Sequence, residues 1–388
     1  MAENDGGLVL EFDHNVIEHL GLKLYQNRPT NVIAEMVSNS WDADGRRVWI
    51  DLVTEAAPGA AGQIAISDDG SGMSLETIRE KYLVIGLPKR PKNQPDVLSP
   101  GGRRPMGRKG IGKLAPFGIA TKIDVVTIAH DAESGTARMN WFRLDFGAIR
   151  AAQDQRRNNY PPDVVLLNAD ATDTAIAAHD SEGTVKTFLS RVRYDQDGQE
   201  RESPTGTLMP LRGLTLKRAL SQQSVLEAMG RRFTVTLLRS DFSVFVNGAP
   251  VTEAVALPKF GQRIPATGFS TDHVNGREVR YWVGFVETAA WPADQAGIGV
   301  YAHGKIAQDR PFTFGQKGRE IYARYMYGVV EADWLDELQE DVVSTDRTSV
   351  DWEHDDTIPL YEWGQNKVRG WLAQQLKWRA ESDSARSP

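Results

Sequence analysis

The stretch Glu35-Met-Val-Ser-Asn39-Ser-Trp-Asp42-Ala43 places a carboxylate, an amide and a second carboxylate at helical spacing. If residues 30–44 are helical, a rotation of about 100° per residue brings these three side chains within about 60° of one another. The opposite face is apolar and consists of Ile33, Met36, Val37 and Trp41. Thr30, beside Pro29, is expected to begin the helix, because its oxygen can accept from free backbone amides. The segment predicts an amphipathic helix whose polar stripe is either a solvated face or the wall of a site.

A second polar segment follows a predicted strand. The run Gln63-Ile-Ala-Ile-Ser67 alternates like a strand and ends at Asp68-Asp-Gly70-Ser-Gly72-Met73, where glycines permit turns that other residues resist. A carboxylate at this strand end can accept a hydrogen bond from the exocyclic amine of adenine, and Met73 can pack on the purine face. The alternative is an ordinary Asp-Gly turn.

A third segment, Gly107-Arg-Lys-Gly110-Ile-Gly112-Lys113, is a glycine loop. Glycines let backbone amides approach phosphate oxygens, and a lysine adds positive charge. Apolar residues predict a helix directly after the loop, namely Ile111, Leu114, Ala115 and Phe117. A Rossmann motif is disfavoured, because no Val/Ile-rich strand immediately precedes the glycines and no βαβ unit follows with an acidic residue at the expected offset.

In this order the three segments resemble the E-x-x-x-N-x-x-D-A, D-x-G-x-G-M and G-x-x-G-x-G boxes of the GHKL ATPases. This superfamily comprises gyrase B subunits, the ninety-kilodalton heat-shock chaperone, histidine kinases and MutL. The resemblance implies an α+β protein: a Bergerat-type ATP-binding α/β sandwich, with helices on one face of a mixed sheet, followed by an α/β transducer-like domain. It also implies ATP and Mg²⁺ as cofactors.

The resemblance assigns roles to individual residues. Glu35 is the general base that activates water, Asn39 is the direct magnesium ligand, and Asp68 is the adenine contact. The other nucleotide-binding positions that it implies are Asp42, Gly70, Gly72, Met73, Gly107, Gly110, Ile111, Gly112, Lys113 and Thr207, with Gly183-Thr184 as a second match to the family's late threonine. Histidine kinases generally lack a glutamate four residues before the magnesium asparagine, so the presence of Glu35 predicts hydrolysis rather than phosphotransfer.

Hydrolysing relatives also bring a cation from the second domain to the γ-phosphate. The layout of Gly328–Leu335 followed by Ser344-Thr-Asp-Arg347 is similar to the chaperone segment that carries such an arginine, which makes Arg347 the first candidate. Lys317, in Phe314-Gly-Gln-Lys-Gly318, is the second candidate, because gyrase-like members use a lysine on a comparable loop. The alternative for each is a surface ion pair.

The predicted organisation is an ATP-binding domain over 1–225, a transducer-like domain over 226–380 and a disordered tail over 381–388. The first domain contains a lid at about 86–106 and a polar insertion at about 151–203. Strands are predicted at 48–53, 64–67, 123–130, 139–146, 233–238, 243–248, 278–287 and 298–306, and helices between 211 and 230 and over 360–378. We expect the last helix to pack on its own domain rather than in a partner's groove.

Composition restricts the class of protein. The chain has 388 residues, 40% of them hydrophobic, no cysteine and a formal net charge of -7. Disulfides and cysteine metal sites are excluded, and the acidic balance argues against a broadly basic nucleic-acid surface. No apolar run is long enough to span a bilayer, so we expect a cytoplasmic protein without a membrane partner.

Two functions are expected from these patterns. The favoured one is Mg²⁺-dependent ATP hydrolysis that drives lid closure, movement between domains and nucleotide-dependent homodimerisation, with Leu8–Phe12 as an exchanged arm. Chaperone-like, DNA-clamping and phage-defence roles are compatible with it, and the effector, client or DNA partner is not named by the sequence. The alternative is a nucleotide-sensing module with negligible turnover that controls a partner effector such as a nuclease. The chain can also be a fragment of a longer protein.

Overall fold

The computed structural model forms two compact units. It describes residues 25, 28–53, 62–85, 87, 98–106, 112–131, 135–148, 161–237, 241–252, 257, 259–287, 295–316, 320–344 and 347–386. The first unit comprises residues 1–87 and 110–221, and the second comprises 88–109 and 222–388. Residues 88–109, which include most of the predicted lid, therefore belong to the second unit, and the boundary after Ser221 lies close to the one predicted at 225.

An antiparallel sheet forms the framework of the first unit. Its strands lie in the order β5-β4-β3-β6-β2-β1, and each neighbouring pair is antiparallel. The strands are β1 Arg47–Val53, β2 Gln63–Asp68, β3 Ala120–His130, β4 Ala137–Asp145, β5 Asp163–Asp170 and β6 Gly206–Leu214. The strands predicted for β1 to β4 are confirmed. The apolar residues on which these predictions rested are mostly buried in the sheet.

Helix α1, Pro29–Asp42, packs against β2. Its apolar face is buried as predicted, with Ile33 and Val37 fully enclosed. The predicted start is wrong by one residue: Arg28 occupies the N-cap position without a side-chain hydrogen bond, and Pro29 stands in the first turn. Proline suits this position because its fixed φ fits a helix and its missing N–H would have no partner there.

A second helical layer covers the other face of the sheet. Helix α4, Thr184–Val192, buries Val185, Phe188, Leu189 and Val192 against side chains of β3, β4 and β6. The predicted polar insertion at 151–203 is wrong for its described part, since β5, α3 (Asp173–Ile176) and α4 belong to the sheet and its core. The i, i+3, i+4, i+7 spacing of the buried residues of α4 was the available sequence signal.

The helix predicted after the glycine loop is a 3-10 helix, Gly112–Gly118. Pro116 within it removes a backbone donor, and β3 begins only two residues after its end. A regular α-helix cannot form in so short a segment with an internal proline. A further helical segment of this unit is α2, Leu75–Thr77, which continues as a π-helical turn over Ile78–Tyr82.

The second unit is built on a mixed sheet. Its order is β10-β11-β14-β12-β13, with β9 also paired to β11, and only β12 and β14 are parallel among these described strands. The strands of this sheet are β9 Phe260–Ile264, β10 Ser270–Val274, β11 Arg277–Val286, β12 Gly297–Ala302, β13 Lys305–Gln308 and β14 Met326–Glu331. Two further strands of the unit, β7 Ser243–Val246 and β8 Ala249–Pro250, pair with each other outside this sheet. The helices are α5 Gln222–Arg232, α6 Thr234–Leu237, α7 Glu320–Ala323, a 3-10 turn Asp333–Asp336 and α8 Ile358–Arg386.

Two strand predictions in this unit need correction. Residues 233–238 were expected to be extended, but Thr234–Leu237 is a short helix, and the Thr234 hydroxyl donates to the carbonyl of Gly230 one turn earlier. Residues 298–306 form two strands instead of one, because His303 and Gly304 adopt positive φ and turn the chain between β12 and β13. The turn predicted at Asn247-Gly248 is confirmed.

Helix α8 packs on its own unit, as predicted. Leu360, Val368, Trp371 and Leu372 join the core of the second sheet. The helix runs to Arg386, so the disordered tail expected from 381 is wrong for residues 381–386. Within the described part of the chain, no helix combines the length and the apolar character needed to cross a bilayer.

Candidate functional site

The polar stripe of α1 is partly accessible to solvent. Glu35, Asn39 and Asp42 are half-buried, whereas the residues between them are buried. A solvated helix face would instead expose a broad band of side chains. This pattern favours the wall of a cleft over the solvated face that the sequence left open.

Asp68 is the buried carboxylate of the site. It is the last residue of β2, and only 6% of its surface is exposed. Its Oδ2 accepts a hydrogen bond from the hydroxyl of Ser40 at 2.8 Å, and its Oδ1 accepts one from the backbone N–H of Gly70 at 3.0 Å. Burial raises the pKa of Asp68 to about 6, although these hydrogen bonds oppose the shift.

The neighbouring Asp69 has a structural role and binds the start of β1. Its Oδ1 accepts from the backbone N–H groups of Arg46 and Arg47 at 2.7 and 2.8 Å, and its Oδ2 pairs with Arg47 Nε at 2.8 Å. A Cβ added to Gly70 would lie 2.5 Å from the carbonyl oxygen of Ala43. The Asp-Gly turn considered from the sequence is present. It holds Asp68 at the end of α1, and Asp69 connects the turn to β1.

Thr207 lies beside Asp68 in the sheet. It is paired with Asp68 across β2 and β6, and its backbone also hydrogen-bonds the Asp68 carboxylate. Its hydroxyl is 3.0 Å from the hydroxyl of Thr127, which accepts from the backbone N–H of Met73 at 2.8 Å. The alternative candidate, Thr184, instead begins α4. The structure thus brings Thr207 next to Asp68 and, through Thr127, connects Thr207 to Met73.

The described end of the glycine loop lies against Glu35. A Cβ added to Gly112 would stand 2.9 Å from Glu35 Oε2, so a larger residue there would displace the carboxylate. Glu35 and Asn39 are separated by about one helical turn, roughly 6 Å along the axis. Helix α1 therefore contacts Gly112 through Glu35 and Asp68 through Ser40.

Lys113 and Arg347, two other predicted site residues, have contacts of their own. The ammonium group of Lys113 donates to the carbonyl oxygens of Lys81 and Val84, both at 2.7 Å, and so caps the end of the π-helical turn. Arg347 is buried in the second unit, where its guanidinium pairs with Asp336 at 2.6 Å. Gly107, Gly110, Ile111, Lys317 and the arm Leu8–Phe12 lie outside the described residues.

Two residues of the site were missed by the sequence argument. Ser40, next to Asn39, donates to Asp68, and Thr127 links Met73 to Thr207. Thr127 interrupts the apolar run Val125-Val126-Thr127-Ile128 and is completely buried, which is the kind of signal that marks a buried polar contact. Ser40 had no comparable signal.

The residues present fit an adenine nucleotide with Mg²⁺. A buried carboxylate surrounded by neutral donors gains from an additional donor such as an amine. The side-chain amide of Asn39 offers an oxygen ligand of the kind that Mg²⁺ prefers, and the carboxylate of Glu35 is a base one helical turn away. Among the described residues no group of three or more His, Asp or Glu could hold a metal by itself.

Comparison with known proteins identifies the class of domain that contains this site. Residues 27–165, which contain Glu35, Asn39, Asp68 and Gly112, match the family described as "Histidine kinase-, DNA gyrase B-, and HSP90-like ATPase". Residues 27–165 therefore form a domain of the GHKL ATPase type, and the resemblance inferred from the sequence is confirmed for this part of the chain.

One curated relative is similar over most of the chain. It is named "Putative type II restriction enzyme HgiDII", comes from Herpetosiphon aurantiacus, and is 27% identical over 365 residues. The match covers 88% of this chain and 52% of that protein. The chain thus spans about half the length of the curated relative it matches.

Proposed function

We propose that this chain binds ATP with Mg²⁺ and hydrolyses it. The observation that carries the proposal is that one helix, α1, places Glu35 beside Gly112 and Ser40 in a hydrogen bond with Asp68, within a segment that matches a GHKL ATPase family. Asp68 accepts from the adenine amine, and Thr207 and Met73 border the ring. Asn39 ligates Mg²⁺, which neutralises phosphate charge when bound.

Glu35 is the general base of the proposed reaction. It orients a water molecule and takes its proton as the water attacks the terminal phosphate. Because Gly112 has no side chain, the Glu35 carboxylate can lie against the end of the loop. A Cβ at position 112 would crowd Glu35 Oε2. Asp42, at the end of α1, orients its neighbours on the same stripe.

Steady-state phosphate release from the wild-type protein and Glu35→Gln tests the proposal. The substitution keeps the shape of the side chain and removes the base, so turnover should fall by about 10²- to 10⁴-fold. Binding of ATP, measured by calorimetry with Mg²⁺, should stay within about threefold of wild type, well below one tenfold step in affinity. Equal turnover in the two proteins would remove the general-base role.

We also propose a DNA-associated role in defence, with a nucleotide-dependent homodimer as the active form. The support is the similarity to a protein named as a restriction enzyme, over about half of that protein. Light scattering with and without a non-hydrolysable ATP analogue tests dimerisation. Binding of duplex DNA at several salt concentrations tests the partner, because contacts to phosphates weaken as salt rises.

A second candidate is a nucleotide-sensing module with negligible turnover that controls an effector. The same pocket supports binding without requiring rapid hydrolysis. This alternative predicts tight ATP binding, turnover no faster than that of Glu35→Gln, and copurification of an effector with the ATP-bound chain. Turnover that depends on Glu35 would exclude it.

A further inference from the structure

Residues 74–84 of the first unit begin at the turn 68–73, which is proposed above to bind the base. Ser74 follows Met73 directly, and its hydroxyl caps the segment by accepting from the Thr77 N–H at 3.2 Å. The chain then runs through α2 into the π-helical turn that ends at Tyr82. One end of this segment is thus fixed at the base-binding turn.

The other end of the segment packs on the sheet of the same unit. The Tyr82 ring lies edge-on to Phe142 of β4, with 6.0 Å between the ring centres, and Phe142 is buried. The N–H of Leu83 donates to the carbonyl of Ile78 at 2.9 Å and completes the π-helical turn. Carbonyl groups in the last turn of a helix have no partner within the helix, so they need donors from elsewhere.

Lys113 supplies such donors. Its ammonium group donates to the carbonyl oxygens of Lys81 and Val84, both at 2.7 Å. The nitrogen also lies 6.0 Å from the centre of the Tyr82 ring. A cation at the C-terminal end of a helix is favoured by the helix dipole, and hydrogen bonds from charged donors are the stronger ones. The Lys113 side chain is therefore directed at the end of segment 74–84.

The backbone of Lys113 adjoins the residue that lies against Glu35. That residue is Gly112, where an added Cβ would be 2.9 Å from Glu35 Oε2. Lys113 follows it directly, and both belong to the 3-10 helix Gly112–Gly118. Because one peptide bond joins the two residues, a shift of Lys113 moves Gly112 relative to the Glu35 carboxylate.

Two connections therefore join the base-binding turn to the end of the glycine loop. The first is α1, which contacts Gly112 through Glu35 and Asp68 through Ser40. The second is segment 74–84 together with the two hydrogen bonds from Lys113. Every link of both connections lies in the first unit and among the residues that the structure describes.

We propose that Lys113 is a positioning residue that sets the place of Gly112 beside Glu35 by binding the carbonyl oxygens of Lys81 and Val84. The proposal rests on the ATPase function proposed above, because its consequence is the correct placement of the general base. Lys113 acts through the backbone of Gly112 and does not touch the phosphates. This role differs from that of the phosphate-binding cation expected from the sequence.

Hydrogen exchange and kinetics on Lys113→Met test this role. The substitution keeps the unbranched stem and removes the ammonium group, so the amide of Leu83 should exchange about tenfold faster, as expected when a charged hydrogen bond is lost. Turnover should fall at least about tenfold, because a small displacement beside a general base is costly. The affinities for ATP and ADP should change by the same factor.

Two further variants serve as matched comparisons. Lys113→Arg retains charged donors that can reach backbone carbonyls, so its exchange and turnover should lie closer to wild type than those of Lys113→Met. Lys122→Met removes a 54% exposed ammonium group of the same unit, which pairs with Asp145 at 3.4 Å. It should change neither the exchange of Leu83 nor turnover, which separates the local contact from a general loss of positive charge.

Direct contact between Lys113 and the phosphates predicts a different pattern. Lys113→Met would then weaken nucleotide binding and leave the exchange of Leu83 at the wild-type rate. Unchanged exchange overturns the proposal, whatever the change in affinity. Lys113→Gln, which keeps a neutral donor, provides the same measurement if Lys113→Met fails to fold, with a smaller expected acceleration.

The exchange measurement also separates this proposal from the ATPase function on which it rests. Exchange is measured without nucleotide, so it reports on the contact of Lys113 with segment 74–84 alone. A wild-type protein that does not hydrolyse ATP would refute the proposed function, and the contact would still be judged by the exchange of Leu83. Faster exchange in Lys113→Met with unchanged turnover would refute the positioning role while the ATPase function remained.

Discussion

Two buried aspartates show how the two units use the same side chain differently. Asp68 in the first unit is surrounded by neutral donors, a hydroxyl and backbone amides, and burial raises its pKa to about 6. Asp336 in the second unit is equally buried but pairs directly with the guanidinium of Arg347. A carboxylate without a cation retains the capacity to take a ligand's donor, whereas one with a cation is committed to holding the fold.

Removing the carboxylate of Asp336 should give the largest effect. Asp336→Ala leaves Arg347 buried without a counter-charge, so we expect the free energy of unfolding of the second unit to fall by about 3–5 kcal/mol. Urea denaturation followed by tryptophan fluorescence measures this change. The control is Asp356→Ala, which removes the carboxylate of an exposed pair with Arg277 and should cost less than about 1 kcal/mol. A comparable loss in both variants would contradict the distinction.

The pH dependence of stability should separate Asp68 from a paired carboxylate. The pKa of Asp68 is about 6 in the folded protein against 3.8 for the ordinary group, so the folded state binds the proton more tightly. Its contribution to stability is therefore present below about pH 4 and is lost as pH rises to about 6, by on the order of 3 kcal/mol. Burial raises the pKa of Glu331 to about 7, so this residue titrates in an overlapping pH range. The measurement is consequently the difference between wild type and Asp68→Asn at pH 4 and pH 7, which cancels Glu331; a difference independent of pH would refute the assignment.

Two neighbouring substitutions should sharpen the comparison between a binding and a structural carboxylate. Asp68→Asn removes the charged acceptor for an adenine amine and should weaken ATP binding by about tenfold to hundredfold, as expected for a charged hydrogen bond. Asp69→Asn should leave binding within about threefold and instead lower stability by about 1–2 kcal/mol, because the ion pair with Arg47 is lost. Calorimetry and urea denaturation on both variants measure the contrast. Weaker binding in Asp69→Asn than in Asp68→Asn would reverse these assignments.

The smallest expected effect concerns Thr127. Thr127→Val keeps the shape of the side chain but removes the acceptor for the Met73 N–H, so we expect a stability loss of about 1–2 kcal/mol. ATP affinity should fall by less than in Asp68→Asn, since the hydroxyl positions the turn and its neighbour Thr207. Thr184→Val is the matched control, because that threonine lies at the start of α4 and should leave affinity unchanged. Equal losses of affinity would show that Thr127 has no specific part in the pocket.

Local periodicity predicted much of the framework. The i, i+4, i+7 spacing of Glu35, Asn39 and Asp42 predicted α1 and its polar stripe, and alternation predicted the strands beside it. The same reasoning failed at 151–203, where polar composition hid the apolar stripe of α4, and at 233–238, where residues of high strand propensity form a helix after α5. Packing overrode intrinsic preference at these places.

The sequence by itself determined which residue types are available for a nucleotide site and the order in which they occur. The reason is that the segments 35–43, 68–73 and 107–113 are each a local pattern. Only the tertiary structure decided that Asp68 takes a hydrogen bond from Ser40 while Asp69 binds Arg47, and that Arg347 is buried beside Met106. The physical reason is that the protonation and the partners of a carboxylate depend on burial and on donors brought from distant parts of the chain. Neither quantity can be calculated from neighbours in the sequence.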